Sequence, residues 1–150
     1  MDHSVYPVER KGSELVFVFI SKNAYETNPI RKVVTYADII RRGVRYFGLG
    51  FGDHNTDDGY VYDNVVSDNS DMRKVLKTVA YMLNVFFIEY PREKVLIEGR
   101  DRVRNSYYQK IVRDYYELIS TRYKVEGFVD GRTAAFQPNV MYDFITISIK

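Results

Sequence analysis

The sequence predicts an α+β fold, a single domain over residues 1–150 with a mostly antiparallel sheet and two main helices in the order βββ-α-β-α-ββ. Three observations support this prediction. The first third of the chain holds apolar runs of strand length joined by short turn segments, as in an antiparallel meander. Two later segments repeat apolar residues at helical spacing, and the last segment alternates apolar and polar residues.

Three strands are predicted before the first helix. ELVFVFIS (residues 14–21) is a continuous apolar run, which indicates a buried strand. NAYETNP then supplies turn residues, and IRKVVTY is predicted to be the returning strand. VRYFGLGF follows after a short connection as the third strand.

The third strand carries Gly48, Gly50 and Gly52 on one face. A dinucleotide-binding fingerprint would need a glycine where Asp53 stands and a helix directly afterwards, and a P-loop would need Gly-Lys-Ser/Thr. We therefore predict a hairpin strand. A run of glycines on one strand face indicates that a neighbouring element or a ligand approaches the backbone closely.

The segment DHNTDDG after this strand partly matches a calcium-binding loop of the EF-hand type. Asp53, Asn55 and Asp57 have the right spacing, but Asp58 replaces the required glycine and Asn64 replaces the bidentate glutamate. A turn with local side-chain hydrogen bonds is the prediction. A calcium site of another type, formed by Asp53, Asp57 and Asp58, stays open.

The first helix is predicted from Ser70 to Tyr90, with Pro91 ending it. KVLIEG is a short strand closed by Gly99, and a second helix is predicted from about residue 102 to 121. YKVEGFV and YDFITISIK are the last two strands. The apolar repeat of the first helix comprises Met72, Val75, Leu76, Val79, Leu83, Phe86 and Tyr90, and the last strand places Ile145, Ile147 and Ile149 on one face.

The second helix is predicted to have an apolar face and a solvated face. Arg104 falls near the middle of the apolar face, where an unpaired charge is costly, so it needs a carboxylate, backbone carbonyls or a bound anion. The apolar face comprises Val103, Tyr107, Tyr108, Ile111, Val112, Tyr115, Leu118 and Ile119; the solvated face comprises Arg102, Ser106, Gln109, Arg113, Glu117 and Ser120.

The start of this helix, GRDRVRNSYY, is the strongest candidate site. Arginines at the positive end of a helix dipole cost about 0.3–1 kcal/mol each, and helix N-termini bind phosphates and carboxylates. The candidate anion-binding residues are Arg100, Arg102, Arg104 and Tyr108.

A structural alternative stays open for this cluster. The long arginine side chains can also pair with acids close by, such as Asp101 and Glu98, or with an acid elsewhere in the fold.

Catalytic patterns are sparse. The chain has no cysteine and two histidines, His3 and His54, which excludes disulfides and thiolate metal sites and leaves no Ser-His-Asp pattern or zinc spacing. We predict neither a metal nor a cofactor. A general acid or base would be an Asp, Glu, Lys or Tyr that spacing cannot identify, so the sequence leaves open whether the protein is an enzyme.

Composition favours a soluble, cytoplasmic protein that does not enter a membrane. The N-terminus lacks the apolar core of a signal peptide, and no apolar run approaches a membrane span. The net charge of +2 is too small to indicate nucleic-acid binding. Fourteen tyrosines suit either base stacking and wet interfaces or an ordinary core.

The chain resembles a domain-of-unknown-function family of bacterial proteins of about this length, mainly from Bacteroidota. The resemblance rests on SDNSDMRKVLKTVAYMLNVFFIEYP, EGRDRVRNSYY and YDFITISIK, and it covers nearly the whole chain. It includes Arg104 and Tyr108, but the family pattern has a second arginine where this chain has Ser106. The resemblance therefore supports the domain boundaries and implies no reaction.

Three functions stay open, and we favour the first, because arginines and tyrosines mark the start of the second helix and no catalytic pattern is found. The first is a binding protein, part of a toxin–antitoxin or phage-defence module, whose ligand is a nucleotide, nucleic acid or another protein. The second is an enzyme, because the element order looks like the core of an acyl-CoA-dependent N-acyltransferase. In that fold a glycine-bearing loop grips the pyrophosphate, but here the place is DNVVSDNSD, which is acidic and lacks glycine. The third is a small RNase-like toxin that uses Arg104, Tyr107 or Tyr108.

Overall fold

The computed structural model describes residues 5–11, 15–21, 30–54, 61–62, 72–99 and 101–150. Two helices dominate these ranges, and the order of the predicted elements is confirmed, with short strands and one short helix added. In chain order the elements are β1 (Glu9–Arg10), β2 (Val16–Ser21), β3 (Ile30–Arg41), β4 (Val44–His54), β5 (Val61–Tyr62), α1 (Met72–Glu89), β6 (Val95–Ile97), α2 (Arg102–Asp114), α3 (Tyr116–Ser120), β7 (Tyr123–Val129), β8 (Arg132–Ala135) and β9 (Phe144–Ile149).

The sheet has the strand order β1-β2-β3-β4-β6-β9-β7-β8, and β5 pairs with β4. β4 and β6 run parallel, with Phe47 opposite Val95 and Gly48 opposite Leu96. The pairs β1–β2, β2–β3, β4–β5, β6–β9, β7–β9 and β7–β8 are antiparallel. The predicted α+β class with a mostly antiparallel sheet is confirmed.

Contacts between residues divide the chain into two compact units. Unit 1 comprises residues 1–36 and 50–89, and unit 2 comprises residues 37–49 and 90–150. Strands β3 and β4 contribute residues to both units. The single domain inferred from the sequence stays a prediction.

The core of unit 1 is aromatic. The ring of Tyr36 stacks on Phe86 at 4.7 Å between centroids and meets Phe17 edge-on at 6.0 Å. Tyr6 stacks on Phe19 at 5.8 Å, and its backbone N–H donates to the buried Thr78 hydroxyl at 2.9 Å. The predicted first helix is confirmed as α1; its proposed cap, residues 70 and 71, lies outside the described residues.

The core of unit 2 has two clusters, and α2 contributes to one of them. One cluster comprises Val112, Val125, Phe136, Tyr142 and Ile145, and Ile97, Tyr116, Ile119 and Val129 pack against it. A second cluster comprises Tyr46, Leu96 and Phe144, with Ile39 and Phe128 packed against it. Unit 2 therefore has its own apolar core, and α2 contributes Val112 to it.

The last strand differs from its predicted pattern. Ile145 and Ile147 are buried as predicted, but Ile149 is 43% exposed, and Phe144 and Thr146 are buried as well. Residues 144–147 are buried on both faces of β9, because Ile145 packs in one core cluster and Phe144 packs in another. One-sided alternation underestimates the burial of such a strand.

Side chains of β3 fill the glycine face of β4. A Cβ atom on Gly50 would lie 2.6 Å from the Thr35 hydroxyl, and one on Gly48 would lie 3.3 Å from a methyl group of Ile39. The glycines at positions 48 and 50 are thus explained by side chains of the neighbouring strand β3 rather than by a ligand. The loop at 55–60, the side chain of Asp53 and the open calcium site built on them lie outside the described residues.

Replacing Gly99 with alanine should destabilise the protein strongly. The new Cβ would clash with the backbone nitrogen of Asn105, and backbone cannot rotate away as a side chain can. Overpacking of this kind costs about 2–3 kcal/mol, which lowers the melting temperature by about 5–10 °C at this chain length. Thermal denaturation followed by circular dichroism measures it.

Gly131→Ala is the matched control. Gly131 has a positive φ of 74° but open space around its missing Cβ, so alanine there costs only the backbone strain of about 1–2 kcal/mol. A Gly99→Ala protein as stable as Gly131→Ala would contradict the close packing of Gly99 against the first turn of α2.

Candidate functional site

The start of α2 is capped by Asp101. This residue has extended backbone angles (φ −137°, ψ 176°), and its carboxylate accepts a hydrogen bond of 2.9 Å from the backbone N–H of Arg104. The other carboxylate oxygen lies 2.8 Å from the Arg104 guanidinium. Asp101 therefore satisfies one of the open helix N–H groups and neutralises Arg104, whose side chain is 22% exposed.

The four predicted anion-binding residues do not form one cluster among the described residues. Arg100 lies outside them. Arg102 is exposed, and it stands about 200° around the helix from Arg104, at about 100° per residue. Arg104 and Tyr108 are one turn apart, and the Tyr108 ring meets Tyr107 at 6.2 Å between centroids. Anion binding at the helix start stays a prediction.

The predicted alternative holds for Arg104, which pairs with Asp101. Glu98, the other acid proposed as its partner, instead binds Arg41. One carboxylate oxygen of Glu98 lies 2.9 Å from Nε and 2.8 Å from Nη2 of that arginine. Arg104 is therefore part of the helix cap, because Asp101 accepts hydrogen bonds from both its backbone N–H and its guanidinium.

The predicted faces of the second helix are wrong at three positions, whereas Val112 and Ile119 pack in the core as predicted. Val103 is 78% exposed and Leu118 is 50% exposed, although both were assigned to the apolar face. Gln109, assigned to the solvated face, is 5% exposed. The helix also breaks at Tyr115, where no proline or glycine signals a break, so that it forms α2 and α3.

Two amide side chains explain why the helix stripe that contains Gln109 faces inward. The Gln109 amide donates to the carbonyl oxygen of Tyr142 at 2.6 Å and accepts from its backbone N–H at 2.9 Å. Asn105 donates to the carbonyl oxygens of Tyr142 and Asp143 at 3.1 and 3.2 Å and accepts from the Gly99 N–H at 3.1 Å. We call Asn105 and Gln109 the amide clamp.

Tyr142 is held on two further sides. Its hydroxyl accepts from the backbone N–H of Gln137 at 2.8 Å. Its ring lies against Gly127, where a Cβ atom would overlap the ring. The segment 136–143, which connects β8 to β9, is thereby fixed between α2 and the sheet.

An open groove of about 220 Å³ lies between residues 136–141 of this segment and α2, and we call it the α2 groove. Its helix wall and its opposite wall both belong to unit 2. The described residues lining it are Ser106, Gln109 and Arg113 from the helix, and Phe136, Pro138, Asn139, Val140 and Met141 from the connection.

Arg113 supplies the positive charge of the α2 groove. Its guanidinium makes a single hydrogen bond of 3.4 Å, to the carbonyl oxygen of Pro138, and within the described part of the chain it has no carboxylate partner. The neighbouring Asp114 pairs with Lys110. Most of the Arg113 donors are therefore available to a ligand.

Sequence reasoning did not find this groove. Arg113, Gln109 and Ser106 recur at positions i, i−4 and i−7 along one helix stripe, the stripe assigned to solvent. The one residue that could have indicated the groove is Gln109. A glutamine is predicted to be exposed unless its hydrogen-bond partner is known, and here that partner, Tyr142, is 33 residues away.

Other kinds of site find no support among the described residues. No cluster of three or more His, Cys, Asp or Glu within the described ranges could hold a metal ion. No helix in the described part of the chain combines the length and apolar character that a membrane crossing requires.

Comparison with known proteins identifies one family. The model of a family described as "Family of unknown function (DUF6934)" matches residues 2–150. Searches of curated proteins and of solved structures found no significant match. The predicted membership in a family of unknown function is confirmed, while the bacterial origin stays a prediction.

Gln109→Met should lower stability, because methionine keeps the volume but leaves the N–H of Tyr142 without its partner, while the Tyr142 carbonyl keeps only the Asn105 donor. An unsatisfied buried group costs about 1–3 kcal/mol. Urea denaturation at constant pH measures the loss. Lys110→Met is the matched control, since it removes only an exposed pair with Asp114 worth about 0.3–0.5 kcal/mol. Equal losses in the two variants would contradict the amide clamp.

Proposed function

The chain belongs to the DUF6934 family, and since that family's function is unknown, we propose from the chain's own geometry that it is a binding protein for an anionic ligand held in the α2 groove. One observation carries the proposal: Arg113 lines the groove, and its guanidinium makes a single hydrogen bond, of 3.4 Å, with the described part of the chain. Guanidinium groups bind carboxylates and phosphates through paired, charge-assisted hydrogen bonds.

The distribution of charge supports an anionic ligand. Unit 2 contains 14 Lys and Arg against 9 Asp and Glu, whereas unit 1 contains 8 against 11. The overall charge of +2 conceals this difference. An excess of positive charge on the unit that holds the α2 groove raises the local concentration of anions and their association rate.

The chemistry of the lining favours binding over catalysis. The described lining residues include a hydroxyl, two amides, one guanidinium and apolar side chains. Arginine does not lose its proton in proteins, and no carboxylate, imidazole or ammonium group is among these lining residues to act as a general acid or base. The arrangement can orient an anion but offers no group to move its protons.

The proposal predicts anion binding that depends on Arg113. A ligand at 100 times its dissociation constant adds about 2.7 kcal/mol, which raises the melting temperature by about 5–10 °C at this size. The panel for a thermal-shift screen is acetate, an N-acylated amino acid, phosphate, AMP and a short RNA, followed by calorimetry. Arg113→Gln should weaken the ligand that binds by about 10- to 100-fold, the worth of a charged hydrogen bond.

Two variants serve as controls in the same screen. Arg122→Gln removes an exposed cation of unit 2 that does not line the groove, and it should leave binding unchanged. Arg104→Gln tests the helix start. Binding lost in Arg104→Gln and kept in Arg113→Gln would move the site to the predicted helix start and overturn the groove proposal.

A second candidate function is an acyl-CoA-dependent acyltransferase, and strand order favours it. The parallel β4–β6 pair, with β9 inserted between β6 and β7, agrees with the N-acyltransferase-like core inferred from the element order. The acidic, glycine-free segment expected to grip the pyrophosphate counts against it, and residues 63–71 lie outside the described residues. Membership in a toxin–antitoxin or phage-defence module, and RNase activity, stay predictions.

Calorimetry with acetyl-CoA separates the two candidates. The acyltransferase predicts saturable binding of acetyl-CoA and of CoA that Arg113→Gln does not change, because the cofactor would contact other residues. The groove proposal predicts either no binding or binding that Arg113→Gln weakens. Absence of any heat at millimolar acetyl-CoA would rule the acyltransferase out.

A further inference from the structure

Building on the proposed function, we infer that the α2 groove takes a monocarboxylate attached to an apolar group, with an amide next to it, rather than a phosphate. The C-terminal residue of a peptide and a free N-acylated amino acid both have this chemistry. The inference rests on where Arg113 stands on its helix, on the composition of the opposite wall, and on the size of the groove.

The position of Arg113 favours a single negative charge. Arg113 is in the last turn of α2, which is the negative end of the helix dipole. Proteins usually bind phosphates at the opposite end, where open backbone N–H groups face the ligand. The last carbonyl groups of the helix would repel a dianion beside Arg113, and a single guanidinium would have to offset both of its negative charges. A carboxylate carries one charge and matches the guanidinium fork with two parallel hydrogen bonds.

The opposite wall of the groove is apolar and partly exposed. Met141 is 52% exposed and Val140 is 36% exposed, whereas Phe136 is buried and stacked on Tyr116 at 5.3 Å. The phenylalanine therefore forms a fixed floor, and the two exposed side chains can cover a ligand. A ligand with an apolar side chain next to its carboxylate would remove this surface from water.

The length of the groove accounts for the amide. Ser106 and Arg113 are seven residues apart, or about 10.5 Å along the helix axis, and the Ser106 hydroxyl makes no hydrogen bond within the described residues. An extended peptide advances about 3.3–3.6 Å per residue, so about three residues span this distance. A volume of about 220 Å³ is smaller than the pockets of about 300–1,000 Å³ that take drug-sized ligands, which suits one side chain with its flanking amide.

The test compares ligands that differ only in the terminal group. The probes are N-acetyl-leucine and N-acetyl-leucinamide, and a hexapeptide ending in leucine with a free or an amidated C-terminus; AMP and inorganic phosphate represent phosphates. Calorimetry or NMR titration of the wild type should show the acid binding at least ten-fold more tightly than its amide, and more tightly than AMP. If the hexapeptide with a free C-terminus binds more tightly than N-acetyl-leucine, the ligand is a peptide C-terminus. Equal affinity of the two indicates a small N-acylated amino acid.

Matched variants test the role of Arg113. Arg113→Gln should abolish the difference between acid and amide, Arg113→Lys should restore part of it because it keeps the charge without the fork, and Arg122→Gln should change nothing. Far-UV circular dichroism confirms that each variant is folded.

The outcomes separate this inference from the proposed function. Equal binding of acid and amide, or Arg113-dependent binding of AMP that exceeds binding of the acid, overturns the carboxylate inference; in the AMP case the anion-binding function stands. If no probe binds in an Arg113-dependent manner, both fail.

Discussion

The connection between β8 and β9 is the constraint on which the arrangement of unit 2 depends. β9 lies between β6 and β7, and β8 lies at the end of the sheet, so the chain must pass β7 to enter β9. Residues 136–143 of this connection belong to no strand, yet their backbone groups must find hydrogen-bond partners where they are buried. Gln109 pairs with both the backbone N–H and the carbonyl oxygen of Tyr142, and Asn105 donates to the carbonyl oxygens of Tyr142 and Asp143.

The position of α2 follows from this requirement. For the two amides to reach the connection, the stripe of α2 that contains them must face inward, and the helix start must come against Gly99. The Tyr142 ring in turn occupies the space that a side chain at Gly127 would need. Ser106 and Arg113 stand on either side of the buried Gln109 along the same wall, so the α2 groove is a direct consequence of the amide clamp.

Local periodicity predicted the elements well and the site poorly. β2, β4, α1, β7 and β9 were found because apolar spacing and turn residues are properties of short stretches of chain. Gln109 was wrongly assigned to the solvated face of α2, because hydrophobic patterning counts it as polar and therefore exposed. Its burial depends on Tyr142, which is distant in sequence, and no local pattern contains that information. Arg104 was predicted to need a partner, and Asp101 is that partner.

The two arginine regions of α2 differ in what an anion must displace. At the helix start, Asp101 already occupies the open N–H of Arg104 and pairs with its guanidinium. An anion arriving there would compete with a cap worth about 1 kcal/mol and would add its charge next to an existing carboxylate. Arg113 has no such competitor among the described residues, because the nearest acid in sequence, Asp114, is bound to Lys110. Repulsion from the last helix carbonyls limits the charge that Arg113 can hold, but nothing has to be removed first. A ligand with one negative charge therefore meets a lower cost in the α2 groove than at the helix start.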